Sequence, residues 1–65
     1  MNAAVALYDL SNCHMSLIVV FEVKDWKDAF EKAFPDTDFG EVPKDYEAAM
    51  KFLFTQDYDF RVTLF

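Results

Sequence analysis

Tyr58-Asp59-Phe60-Arg61-Val62-Thr63-Leu64-Phe65, the last eight residues, decide the fold. Tyr58, Phe60, Val62 and Leu64 fall on one side, and Asp59, Arg61, Thr63 and Phe65 on the other. That period of two belongs to a half-buried antiparallel strand. Upstream the period changes. Tyr46, Ala49, Met50, Leu53 and Phe54 recur at i, i+3, i+4, i+7 and i+8, one face of a helix, until Gln56-Asp57 breaks the pattern. Pro43 suits the first turn of that helix. Residues 36–42 read as a loop containing the single glycine, Gly40. Before the loop, Asp25 reads as an N-cap, with Asp28 near the positive end of the helix dipole. Trp26, Ala29, Phe30 and Ala33 follow as one apolar stripe. Pro35 ends this first helix, because the residue before a proline is pushed out of the helical region.

Further upstream, residues 15–23 carry Leu17-Ile18-Val19-Val20-Phe21, apolar on both faces, which predicts a central strand. Residues 3–10 read as a strand or a short helix, since alanine and leucine favour helix while Val5 and Tyr8 suit a sheet. The turn chemistry of Ser11-Asn12 favours an antiparallel hairpin between the two segments, across residues 11–14. The expected fold is α+β, a single domain spanning residues 1–65 in the order β-β-α-α-β. Its three-stranded antiparallel sheet carries both helices on one face.

A 65-residue chain buries only about 60% of the surface its unfolded form exposes, so large side chains must compensate. Hydrophobic residues are 54% of the chain and aromatics 18%, including eight Phe, which places it among folded domains rather than disordered acidic tails. One Cys excludes an internal disulfide and, with one His, the usual four-ligand zinc site. The absence of a basic, apolar leader at residues 1–6 and the lone thiol point to a cytoplasmic protein, or to the host cytoplasm for a phage product. No run approaches the roughly 18 apolar residues of a membrane helix.

Catalytic signals are sparse. Cys13-His14 pairs a nucleophile with a base, yet neighbours in an extended chain point to opposite sides. No second base stands nearby, so no catalytic residues are expected. The segment from Asp36 to Glu47 begins D-x-D and has Glu at its twelfth place. A calcium loop needs glycine at position six, where Glu41 stands, and Pro43 interrupts its short strand. No metal or cofactor is expected.

Charge is the informative feature. The net charge is −6, and residues 25–47 hold eight acids against three lysines, net −5. The competing explanation is a solvated face that keeps an apolar small protein in solution. The functional expectation is a surface of Asp28, Glu31, Asp36, Asp38, Glu41, Asp45 and Glu47 presented to a basic partner, with Phe39 as an exposed anchor. Such carboxylates stand in for phosphates against the lysines and arginines of a nucleic-acid-binding protein, without contact to nucleic acid itself. Phe52 and Phe65 fall off the predicted core faces. They suggest an alternative: a homodimer or adaptor with mainly apolar contacts through the C-terminal strand and Phe52.

Overall fold

The computed structural model describes residues 1–35 and 39–65. Strands β1 (Ala3–Asp9), β2 (His14–Val20) and β3 (Tyr58–Leu64) and helices α1 (Trp26–Ala33) and α2 (Tyr46–Phe54) occur in the order β-β-α-α-β. Residues 3–10, which read either way, are a strand.

Asp9 sets the hairpin. Its Oδ1 accepts from the Ser11 N–H at 3.1 Å and the Ser11 hydroxyl at 2.7 Å, and its Oδ2 accepts from the Asn12 amide at 3.0 Å. This folds the chain back within four residues, with Cys13 in the left-handed region at φ 52°. Asp9 then faces His14, and the register runs up to Ala3 opposite Val20.

The strand order is β2-β1-β3, all neighbours antiparallel. The centre is therefore β1, and the expectation of a central strand at residues 15–23 is corrected: β2 is an edge. An apolar run occupies both faces of β2, but α1 covers one of them. Ile18 and Val20 pack against the core, while Leu17 and Val19 are exposed. A run of this kind reports hydrophobicity, not cover. The centre goes to the strand whose two neighbours both find a partner. Val5, opposite Ile18 on one side and Val62 on the other, has no exposed surface.

Both helices start from an aspartate, the first at the expected Asp25 and the second at Asp45. Asp25 accepts from the Asp28 N–H at 2.8 Å, and Asp45 from the Ala48 N–H at 3.0 Å. Each such cap typically contributes about 1 kcal/mol. Helix α1 stops at Ala33, with Phe34 as its C-cap before Pro35. Pro43 does not lie in the first turn of α2. The helix begins at Tyr46, and the proline precedes the Asp45 cap by two residues, fixing the chain's approach.

The core lies between the sheet and the helices. Ala3, Ala29 and Ala49 are fully buried, and their small side chains let the backbones approach closely. Phe60 sits among rings: Phe30 at 5.1 Å, Tyr46 at 5.2 Å and Trp26 at 5.7 Å between centroids. Of the second helical stripe, Ala49 and Leu53 are buried, but Phe54 is exposed and Phe52 packs on the core instead. These two rings flank the stripe on opposite sides, since each residue advances about 100° around the helix. One flank is covered and the other is not.

Among the described residues, none forms a layer over the second face of the sheet. Reading across β2, β1 and β3, it presents Val19, Ala4 and Thr63, then Leu17, Ala6 and Arg61, then Met15, Tyr8 and Asp59.

Candidate protein-binding site

The acid-rich segment lies on the helical side of the sheet, and its geometry follows from how the helices start. Trp26 and Tyr46 are the first residues of α1 and α2, and their rings meet edge to face at 5.2 Å. The two helix N-termini therefore stand side by side. Helix starts recruit carboxylates, as caps and as complements to the positive dipole end. Of the six described acids in residues 25–47, four occupy such positions: Asp25, Asp28, Asp45 and Glu47. Their crowding on one side is partly a consequence of fold construction.

Asp28 is the most engaged. Its Oδ2 accepts from the Lys24 N–H at 2.9 Å and lies 3.4 Å from the Lys32 ammonium. The Lys24 N–H, followed by the Lys32 charge, holds its carboxyl below the usual 3.8. Asp9 is held below the same value by the Ser11 and Asn12 side chains. A depressed folded-state pKa means that the unfolded chain binds protons first as pH falls. The stabilisation from both groups is present above about pH 3.8 and lost as pH drops through their folded-state values. Thermal melts should be flat from about pH 7 to 5 and fall below about pH 4. The fall should be shallower in Asp28→Asn, and an equal slope in that variant would contradict the assignment.

The acids not used to start a helix lie around a cleft of about 530 Å³ between α1 and the segment before α2. Glu31 stands on one wall and Glu41 on the other, over a floor that includes Phe30 and Phe39. Lys27 and Lys44 share the rim, so the cleft carries mixed charge. Glu47 is exposed on α2. Asp36 and Asp38 lie outside the described residues.

Phe39 is corrected. It is 7% exposed, with its ring against Phe30 at 5.5 Å and Tyr58 at 5.2 Å, and its carbonyl accepts from the Gln56 amide at 3.3 Å. It closes the lower end of the core and anchors the loop to the body, not the body to a partner. A loop ring without periodic neighbours gave no sign of its direction. Phe52 also departs from expectation, since it packs against the core and leaves Phe54 as the exposed ring of α2.

What residue counting missed is the open sheet face. Leu17 is 62% exposed, and Phe21 and Phe65 are 65% exposed each. Its signal in the sequence is the two-sided apolar pattern of residues 15–23, which fits an open face as well as a buried one. Among the described residues, no group of three or more His, Cys, Asp or Glu could hold a metal ion, and no helix is long and apolar enough to cross a membrane.

No family model, curated protein or solved structure matches the chain. Function must be argued from its surfaces alone.

Proposed function

We propose that the protein works by binding another protein, as a stoichiometric inhibitor of a nucleic-acid-handling partner. The single observation behind this reading is charge placement. The described carboxylates of residues 25–47 lie on the helical side, whereas Asp59 and Arg61 cancel on the opposite sheet face. Glu31, Glu41 and Glu47 are exposed and free of capping duty. They form the part of the surface suited to meeting a basic cleft, as partial substitutes for phosphates. Asp25, Asp28 and Asp45 at the helix starts add to the same field at longer range. Field of this kind speeds encounter and makes binding salt-sensitive. A phage protein that disarms a host nuclease, restriction enzyme or CRISPR complex would use this physics, and so would an antitoxin or immunity protein against a basic toxin.

The test is affinity capture from the source cell or its host, followed by titration of the captured protein. The triple variant Glu31→Gln, Glu41→Gln, Glu47→Gln should fold with a stability within about 0.5 kcal/mol of the parent, since none of the three is buried or a cap. Its affinity should fall by about tenfold or more, and salt of about 0.5 M should have a similar effect on the parent. Binding that ignores both changes would refute the reading.

A further inference from the structure

We propose that the open face of the sheet is the interface of a homodimer, in which two copies pack sheet to sheet. This does not depend on the inhibitor reading, because it uses the opposite side of the molecule.

The face is shaped as a ridge beside a valley. Met15, Leu17 and Val19 stand along β2, exposed by 54%, 62% and 47%. Beside them, the central strand carries Ala4 and Ala6, which barely rise above the backbone. The pattern continues past the strand ends. Asn2 and Phe65 exchange backbone hydrogen bonds at 3.0 and 2.9 Å, extending β1 and β3 by one pair. Alternation then puts Phe65 on the open face next to Thr63, and Phe21 there next to Val19. A ridge adjoining a valley on one surface is self-complementary: a two-fold axis lays the ridge of each copy along the valley of the other. Two sheets pack in this way with about 10 Å between them.

Area and charge both favour a second copy. The five exposed apolar side chains offer about 100 Å² each, and with the smaller neighbours the face reaches about 600–700 Å² per copy. Two such faces bury about 1,200–1,400 Å², within the range of specific interfaces. A body with a net charge of −6 ordinarily repels its copy, but here the acids of the helical layer point away from the contact. The charged residues of the strands on this face are Asp59 and Arg61, on the same strand two residues apart. Ridge-in-valley packing puts the axis along the strands between β1 and β2, so Asp59 and Arg61 flank the contact and offset each other within one copy. Edge pairing through β3 is a poorer route, because the Tyr46 hydroxyl, on α2, already accepts from the Val62 N–H at 3.0 Å.

The test is solution mass, by sedimentation or light scattering, from about 5 to 500 µM, a span that covers the affinities of weak and moderate dimers. The expected mass is twice 7.6 kDa at the upper end. Leu17→Glu, on the exposed ridge, should remain folded by circular dichroism and weaken the dimer at least tenfold. Met15→Glu, on the same ridge and 54% exposed, should weaken it in the same direction. Phe54→Ser, on the helical side, should leave the mass unchanged. A mass of 7.6 kDa throughout would overturn the proposal. A dimer lost in Phe54→Ser and kept in Leu17→Glu, or open-ended assembly indifferent to Leu17→Glu, would also overturn it. If Leu17→Glu fails to fold, the Met15→Glu and Phe54→Ser pair decides. The triple glutamine variant should dimerise like the parent, so loss of the proposed partner and loss of the dimer are separable.

Discussion

Phe60→Ala is expected to abolish the folded state at room temperature, or leave it in the minority. The residue is 1% exposed, and its ring lies within 5.7 Å of the centroids of Trp26, Phe30 and Tyr46. Those three rings come from both helices, so Phe60 is where α1, α2 and the sheet meet. Truncating a buried phenylalanine costs about 3–5 kcal/mol, part transfer and part cavity. At roughly 0.05–0.15 kcal/mol per residue, a chain of this length has about 3–10 kcal/mol in all. The loss is therefore comparable to the whole. Little relaxation is available, because the neighbours are stiff rings rather than flexible chains. Circular dichroism and urea denaturation check this directly. Phe54→Ala is the internal control: a phenylalanine of the same size, 63% exposed, whose loss should move the midpoint little. A cooperative transition in Phe60→Ala at the parental midpoint would show that the ring cluster is not the keystone of the core.

The contrast between these two phenylalanines marks what a sequence can reveal here. Phe60 belongs to a clean period of two, so its inward direction could be read. Tyr46, Ala49 and Leu53 belong to a period of 3.6, and their side of α2 could be read as well. Asp25 and Asp45 both begin helices, although the Pro43 signal set the second start too early. The failures share a cause. Residues 15–23 are apolar on both faces, and nothing local distinguishes a strand covered twice from one whose outer face is left open. Phe39 and Phe52 have no periodic partners to indicate their direction, and tertiary contacts with Phe30, Tyr58 and the core decided it. The acidic surface was half legible. Counting placed the charge in residues 25–47, but the reason for part of it needed the fold: both helices begin on the same side, and each start gathers carboxylates. Glu31 and Glu41 stand outside that explanation, and Glu47, though in the first turn of α2, is exposed and caps nothing, which is why the binding test rests on these three.

Tyr46 supplies the second large effect, because it joins helix and sheet by two separable means. Its ring packs on Trp26 and Phe60, at 5.2 Å from each, and its hydroxyl accepts from the Val62 N–H at 3.0 Å. That N–H is not engaged by β1, so α2 caps an edge donor of β3 that would otherwise invite another strand. Tyr46→Phe keeps the ring and strands a part-buried donor, at a cost of about 1–2 kcal/mol. Tyr46→Ala removes both and should cost about 3 kcal/mol or more. The two variants also differ in kind. Hydrogen exchange at Val62 should accelerate in Tyr46→Phe while amides of β1 and β2 change little, since one edge contact opens and the core remains. In Tyr46→Ala, exchange should rise throughout, because Phe60 loses a neighbour and the whole ring cluster loosens. Equal midpoints for the parent and Tyr46→Phe, with Val62 exchange unchanged, would mean that water satisfies the edge donor as well as the tyrosine does. The helix would then be held to β3 by apolar contact alone.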